Sequence, residues 1–277
     1  MPIRKCGDWF SILLLLLLFT YFKYVGGNRV KRVINGIPIG NGEFPIAVSI
    51  KDASTMDHIC GGTLISSNMV LTAAHCVLQS LAEENPSGYR VKLDNYLSGN
   101  YDTHNSLTDQ KYSCEMGINK IYIHDDYDRD TQAHDLAILK LNSNYPTLKN
   151  YYEKILPTST FGLSGECKVY GYGMMDMKSE VTFNPLQMGK VNIISLTECQ
   201  HRLGEYISPK ADDGMICAMG DGTDACQGDS GSSLICDGLL EGVVSYGMGC
   251  GVVQLPGVYT RVALHTAWIR SIISQDK

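Results

Sequence analysis

Residues 224–233 read Asp-Ala-Cys-Gln-Gly-Asp-Ser-Gly-Ser-Ser, a stretch that combines a candidate nucleophile with glycines on both sides of it. A serine hydroxyl is a poor nucleophile at neutral pH, so Ser230 needs a base within hydrogen-bond reach and donors where negative charge develops. Gly228 and Gly231 tolerate the dihedral angles of a tight turn, which lets the amides of Gly228 and Ser230 converge on one point. Taken alone, the stretch also fits an ordinary surface turn.

Two further stretches supply a base and an acid. Residues 72–76, Thr-Ala-Ala-His-Cys, place His75 behind small residues that let it lie against a packed core, beside a cysteine that can fix it. Residues 134–141, His-Asp-Leu-Ala-Ile-Leu-Lys-Leu, place Asp135 at the head of an apolar run typical of a strand. Histidine, aspartate and serine therefore occur in that order, each in a setting that suits its role.

This order resembles that of the trypsin and chymotrypsin family of serine proteases, which implies His75 as base, Asp135 as acid and Ser230 as nucleophile. The resemblance also assigns the oxyanion hole to the amides of Gly228 and Ser230. The α/β-hydrolase alternative needs the order serine, acid, histidine, and a glycine two residues after the nucleophile, where this chain has Ser232.

The resemblance covers residues 33–275 and implies an all-β fold, two six-stranded antiparallel β-barrels packed together with a C-terminal helix. Short β-type runs separated by turn residues, the first at 47–50 and the last at 258–262, agree with an all-β chain. Periodicity alone does not distinguish two barrels from one sandwich. Only the end of the chain, from Val262 onward, has the three-to-four spacing of a helix.

The N-terminus predicts a secreted protein. Arg4 and Lys5 precede an apolar run, 9–22, which is typical of a secretory signal and shorter than the ~20 residues that span a bilayer comfortably. We interpret residues 1–25 as a signal peptide, 26–32 as a short activation propeptide and 33–277 as the trypsin-like peptidase domain, in an extracellular location. An uncleaved membrane anchor is the alternative.

Ten cysteines without a Cys-x-x-Cys pair or a Cys/His cluster at zinc spacing indicate disulfides and an oxidising compartment. The resemblance implies four pairs: Cys60 with Cys76, Cys167 with Cys236, Cys199 with Cys217, and Cys226 with Cys250. Cys6 lies in the signal segment. Cys114 is then left over in the mature chain, either as a free thiol or as a link between two chains.

Residues 29–36 join a basic cluster to an apolar pair and a turn-forming Asn-Gly. In proteases that resemble this one, a cut after such a basic residue frees an α-amine that folds inward and pairs with the aspartate preceding the catalytic serine. The cut would follow Arg32, and the partners would be Val33 and Asp229. This predicts a zymogen and, as one partner, an activating protease that cuts after Arg32.

Asp224 lies six residues before Ser230, where trypsin-like proteases carry the acid at the base of the substrate pocket. The resemblance assigns the pocket walls to Ser245, Tyr246, Gly247 and Gly257. A carboxylate at the bottom of a narrow slot favours substrates with Arg or Lys before the cut bond. Ala225 stands where trypsin has a serine that helps to bind lysine, so we expect Arg to be preferred over Lys.

The net charge argues against nucleic acid as a partner, and the spacing of the acidic residues argues against a calcium site. Residues 33–277 keep 17 of the 23 basic and 28 of the 29 acidic residues, a net charge of −11, which argues against nucleic acid. Asp126, Asp128 and Asp130 have the odd spacing of a calcium loop, but Thr131 replaces the required glycine and Ala137 the bidentate glutamate. We therefore expect no metal and no cofactor. We also expect a monomer that binds protein or peptide substrates and protein inhibitors.

The histidines other than His75 lack its Ala-Ala-His-Cys setting, and we interpret them as surface or structural residues. They are His58, His104, His124, His134, His201 and His265. His134 adjoins the acid and is interpreted as a neighbour of the site. The competing function is a catalytically silent, protease-like binding protein, which the presence of all three triad residues disfavours.

Overall fold

The structure is a computed structural model. It describes residues 36–40, 43–78, 85–93, 114–145, 152, 154–160, 163, 165–172, 186–211, 213–220, 229–247 and 255–275. These residues all lie in one of the two units of the chain, Lys31–Lys277.

The described part of the chain is built mainly from strands. They are β1 (Ile37–Pro38), β2 (Ala47–Asp52), β3 (His58–Leu64), β4 (Met69–Thr72), β5 (Tyr89–Leu93), β6 (Cys114–Ile123), β7 (Ala137–Leu141), β8 (Glu166–Gly171), β9 (Gln187–Ile194), β10 (Met215–Met219), β11 (Ser233–Cys236), β12 (Leu239–Gly247) and β13 (Gly257–Arg261). The helices are α1 (Leu196–Leu203) and α2 (Val262–Gln275), and short 3₁₀ turns span Ala74–Cys76 and Pro86–Gly88.

The first barrel is closed by six antiparallel strands in the order β2-β3-β4-β7-β6-β5. Its strands carry aliphatic side chains that are fully buried, including Val48, Ile50, Val70, Leu71 and Ile138. Branched side chains suit a pleated surface, and closure leaves no unpaired edge on the barrel. Strands β4 and β7 pair directly, Leu71 opposite Ile138, so the segments that carry His75 and Asp135 start from neighbouring strands.

The second barrel closes through strands β8 to β13. The strands follow the order β9-β10-β13-β12-β11-β8, and β8 pairs again with β9. The short strand β1 pairs with the outside of β9, Ile37 opposite Met188. The predicted architecture of two six-stranded antiparallel barrels with a C-terminal helix is confirmed.

Helix α1 was not expected, and the prediction that only the chain's end is helical is wrong. Ser195 caps the helix by accepting a hydrogen bond from the Glu198 amide, 3.1 Å, and Gly204 ends it with φ of +80°. This Ser-x-x-Glu sequence is a capping-box pattern, so a local signal was present. Strands β1 and β10 were also missed: β1 is only two residues long, and β10 is a five-residue run bordered by Gly214 and Gly220.

Helix α2 begins at Val262, the residue at which the last strand was expected to end. It turns Val262, His265, Ile269 and Ile272 towards the core, which is the three-to-four spacing predicted from the sequence. His265 therefore occupies an apolar position, with 4% of its surface exposed. No helix in the described ranges is long and apolar enough to span a membrane.

Candidate active site

His75 lies in the 3₁₀ turn that follows strand β4. Ala73 and Ala74 before it are fully buried, and Cys76 after it forms a disulfide with Cys60 on β3. Small side chains let this turn lie flat on the barrel core, and the disulfide fixes it to a strand. The backbone of His75 is thus held on a rigid support, while its side chain remains 28% exposed.

Asp135 directly precedes the apolar segment that becomes β7, and it is fully buried. Its Oδ2 lies 2.7 Å from His75 Nδ1, and its Oδ1 accepts a hydrogen bond from the His75 amide at 2.9 Å. A carboxylate only accepts hydrogen bonds when ionised, so His75 Nδ1 carries the proton in this pair. The other ring nitrogen, Nε2, is then free to take a proton when the imidazole is neutral.

The second barrel also contacts Asp135. Ser245 on β12 donates its hydroxyl to Asp135 Oδ2 at 2.6 Å, and Thr260 on β13 donates to the Asp135 backbone carbonyl at 3.1 Å. Both hydroxyls are buried. The resemblance assigned Ser245 to the substrate pocket, and sequence analysis did not single out Thr260, because these contacts depend on how the two barrels pack together. Asp135 is therefore held from both barrels.

Ser230 lies on the segment that leads into β11, and this segment is attached to the first barrel. The Ser230 carbonyl accepts a hydrogen bond from the Gly61 amide at 2.8 Å, next to the Cys60–Cys76 disulfide. Gly231 has φ of +78°, and a Cβ on it would overlap Thr72 Oγ1, so only glycine fits there. The structure therefore brings the serine segment against the strands that carry the histidine turn.

The segment around Ser230 is also fixed to the second barrel. The Gly231 amide donates to the Val244 carbonyl, and the Ser232 amide donates to the Asp229 carbonyl. The Asp229 side chain is fully buried and lies against Gly171, where a Cβ would overlap its Oδ1. The carboxylate next to the serine is thus in the interior, and Gly171 leaves the space that it occupies.

The expected pocket walls lie close together where β12 meets β13. Gly247 pairs with Gly257 in register, and a Cβ on Gly247 would lie 3.9 Å from the Gly257 Cα. The Tyr246 hydroxyl donates to the Ile207 carbonyl at 3.0 Å, and burial raises the Tyr246 pKa to about 12. Tyr246 is thus fixed as a neutral phenol beside this pair of glycines, and the Tyr259 ring lies against Gly257.

Several predicted site residues lie outside the described residues. They are Arg32 and Val33 of the activation site, Asp224 and Ala225 of the pocket base, Gly228 of the oxyanion hole, and Cys226 and Cys250. Three of the four expected disulfides are present, namely Cys60–Cys76, Cys167–Cys236 and Cys199–Cys217. Cys114 is half-buried as a free thiol, and its carbonyl accepts a hydrogen bond from Tyr145.

The part of the chain that the structure describes has one group of side chains with metal-like spacing, and it includes His75. Its other members are Cys60 and Cys76. Thiolates bind metals, but both sulfurs here are joined in a disulfide. This group does not form a metal site.

A second group of histidines lies next to Asp135. His134 Nδ1 is 3.0 Å from His265 Nε2, and the His124 ring contacts both of them and Trp268. Burial lowers the pKa of His265 to about 4, and the neighbouring histidines act in the same direction. Burial likewise lowers the pKa of His124. No local pattern in the sequence predicts this cluster, since its members are separated by up to 141 residues along the chain.

Comparisons with known proteins agree with this geometry. A sequence model of the trypsin family matches residues 33–269. Trypsin I-P1 of Gallus gallus is 32% identical over 248 residues, which cover 88% of this chain and 90% of that protein. Trypsin delta of Drosophila melanogaster is 32% identical over 240 residues, 87% of this chain and 88% of its own length.

A third relative has a longer chain. Coagulation factor XI of Bos taurus is 32% identical over 248 residues, which cover 86% of this chain and 37% of that protein. The similarity therefore extends through the domain that the two barrels form. The chain belongs to the trypsin family of serine proteases.

His265 makes a testable contribution to stability. Its pKa falls from about 6.5 in an unfolded chain to about 4 in the fold, so the unfolded state binds the proton more tightly between these values. We expect the free energy of unfolding to decrease as pH falls from 6.5 to 4, by up to roughly 3 kcal/mol from this group. Urea unfolding of wild type and His265→Gln at several pH values measures it.

The variant should lose part of this acid sensitivity, because glutamine does not titrate. His201→Gln is the matched control, since His201 is exposed on α1 and should leave the pH dependence unchanged. Equal slopes of stability against pH in wild type and His265→Gln would contradict the assignment.

Proposed function

We propose that this member of the trypsin family is a secreted serine endopeptidase that hydrolyses peptide bonds through His75, Asp135 and Ser230. The observation that carries the proposal is the hydrogen bond between His75 Nδ1 and the fully buried Asp135 carboxylate. Asp135 also accepts from Ser245, so it is fixed independently of the imidazole. A neutral imidazole held in this tautomer presents Nε2 as the base.

The reaction divides into two steps of proton and acyl transfer. His75 Nε2 takes the hydroxyl proton as Ser230 Oγ attacks the carbonyl carbon of the substrate, and Asp135 stabilises the imidazolium that forms. The amides of Gly228 and Ser230 donate hydrogen bonds to the oxyanion. His75 then protonates the leaving amine, and water hydrolyses the acyl-enzyme by the same route in reverse.

Activation is part of the proposal. Cleavage after Arg32 would free the Val33 α-amine, which would pair with the Asp229 carboxylate. The full burial of Asp229 supports this, because a cation stabilises an ionised carboxylate in the interior. Since Asp229 precedes Ser230, its position determines the direction of the oxyanion amides. The cleaved form should therefore be the active one.

Specificity for Arg and Lys follows from Asp224. The pairing of Gly247 with Gly257 supports it, because neither residue carries a side chain that could fill the expected pocket. A long cationic side chain would pass these glycines and reach the carboxylate of Asp224. Ala225 lacks a hydroxyl that could help to bind a lysine ammonium, whereas an arginine guanidinium reaches a carboxylate with two hydrogen bonds.

The catalytic assignment is tested on the protein cleaved after Arg32, whose new N-terminus should read Val-Ile-Asn-Gly. Wild type should hydrolyse an Arg peptide substrate and react once with an organophosphate. Ser230→Ala should lower turnover on the order of 10⁶-fold and abolish the labelling. Ser271→Ala, at an exposed position on α2, is the matched control and should be fully active. A Ser230→Ala enzyme with near wild-type turnover would reject the assignment.

Specificity is tested separately by kcat/KM on matched peptides with Arg, Lys or Phe before the cut bond. We expect kcat/KM to be higher for the Arg peptide than for the Lys peptide, by a factor that corresponds to roughly 0.5 to 1.5 kcal/mol, the contribution of about one hydrogen bond. Both values should be far higher than that for the Phe peptide. Ala225→Ser should reduce the difference between Arg and Lys. A preference for Phe would reject the role of Asp224, and Lys equal to or above Arg would reject that of Ala225 alone.

A further inference from the structure

His134 and His265 form a directional hydrogen-bonded pair. His265 Nδ1 lies 2.7 Å from the Arg261 carbonyl oxygen, which only accepts, so this nitrogen carries the proton. The other nitrogen of neutral His265, Nε2, is then an acceptor. It lies 3.0 Å from His134 Nδ1, which must donate. The two contacts together determine the tautomers of both rings.

The backbone of His134 controls the direction of Asp135. His134 has φ of +54°, a left-handed conformation that is unfavourable for a residue with a Cβ. Its amide donates to the Asp213 carbonyl at 3.1 Å, and its carbonyl accepts from the Leu136 amide at 2.7 Å. The orientation of the peptide groups on both sides of Asp135 therefore depends on the backbone conformation of His134.

The pair lies where three segments meet: the one before β7, the one before β10, and the start of α2. Gly214 leaves the space for the rings, since a Cβ on it would lie 2.8 Å from His265 Cε1 and 2.9 Å from His134 Nδ1. The Gly214 carbonyl accepts from the Arg261 amide at 2.8 Å. His265 is thus supported on the second barrel and contacts the residue that precedes the buried acid.

We propose that His134 and His265 are positioning residues for Asp135, with their hydrogen bond holding the left-handed backbone that directs the carboxylate towards His75. The inference rests on the proposed triad function. Among the described residues, no hydrogen bond or ring contact joins either histidine to His75, so the pair acts through Asp135. Small displacements of a group that orients the base have large effects on turnover, so loss of the bond should mainly affect kcat.

The charged groups around the pair act on His265 in opposite directions. His124 covers the rings, and its Nδ1 accepts from the Asp126 amide. The charge of Asp126 favours protonated His265, whereas His124 and His134 oppose it. Asp125 and Asp126 are exposed beside His124, and their charges favour its protonated form.

The remaining charged groups at the pair have contacts elsewhere. The Asp213 carboxylate accepts from the Lys210 amide, and the Arg261 guanidinium donates to the Thr160 carbonyl. A proton on His265 Nε2 would place two N–H groups against each other, and burial disfavours it by lowering the pKa of His265 to about 4. His265 therefore remains an acceptor for His134 until the pH falls to about 4.

The test compares two replacements of His265 in the cleaved enzyme, with active sites counted by organophosphate titration. His265→Phe keeps the bulk but removes the acceptor for His134, and we expect kcat to fall about tenfold with KM unchanged. The acid limb of kcat/KM should move down by about half a pH unit, because a displaced Asp135 stabilises the imidazolium less. His265→Gln keeps a donor and an acceptor and should be within about twofold of wild type.

A second pair of variants applies if His265→Phe does not fold. His134→Asn and His134→Gly both tolerate a left-handed backbone, but only asparagine can donate to His265. We expect activity close to wild type for the first and a loss of about tenfold, with the same shift in pH profile, for the second. His201→Phe, at an exposed histidine, is the control and should change nothing.

The outcomes separate this inference from the proposed function. Wild type that neither hydrolyses peptides nor reacts with an organophosphate would overturn both. Active wild type with His265→Phe equal to it in kcat and pH profile would overturn the positioning role alone, as would equal activity of His134→Gly and His134→Asn. The predicted fall in kcat, with rescue by His265→Gln, would establish it.

Discussion

The buried carboxylate of Asp135 is the interaction on which the rest of the site depends. An ionised carboxylate in the interior is costly unless donors surround it, and Asp135 meets the His75 ring, the His75 amide and the Ser245 hydroxyl. These donors come from both barrels. The site therefore exists only when the barrels are packed against each other, which couples the stability of the fold to the geometry of the base.

The scaffold fixes each reacting segment by a different device. The histidine turn is tied by the Cys60–Cys76 disulfide, and the acid is enclosed between β7, β12 and β13. The serine segment is attached through its backbone, by the contact of its carbonyl with Gly61 and by the left-handed Gly231. Rigid attachment of this kind is needed because the reaction requires three side chains in a fixed relation.

Local sequence was sufficient for much of this arrangement. The small residues around His75, the apolar run after Asp135 and Gly231 after Ser230 each reflect a packing requirement that the structure confirms. The closed barrels and three disulfides followed from resemblance, because pairing across 69 residues, as in Cys167–Cys236, has no local signal. Helix α1 was missed despite its capping box, since its apolar residues are few.

The contacts that could not be predicted are those made between distant segments. Thr260 and His265 look unremarkable in the sequence, and their roles depend on β13 and α2 lying beside the segment that contains Asp135. His265 was interpreted as a surface or structural residue, and the structure places it in the core. Its pairing with His134 needs both the left-handed backbone of His134 and the absence of a side chain at Gly214.

The central claim is that the buried Asp135 carboxylate holds the His75 imidazole in one tautomer. That tautomer can be measured directly by ¹⁵N NMR of the imidazole nitrogens in a Ser230→Ala background. The account predicts that neutral His75 carries its proton on Nδ1, with a strongly downfield N–H resonance caused by the Asp135 carboxylate. In Asp135→Asn the amide would donate to Nδ1, and the proton should move to Nε2. A His75 ring protonated on Nε2 in the parent protein, or a spectrum that Asp135→Asn leaves unchanged, would contradict it.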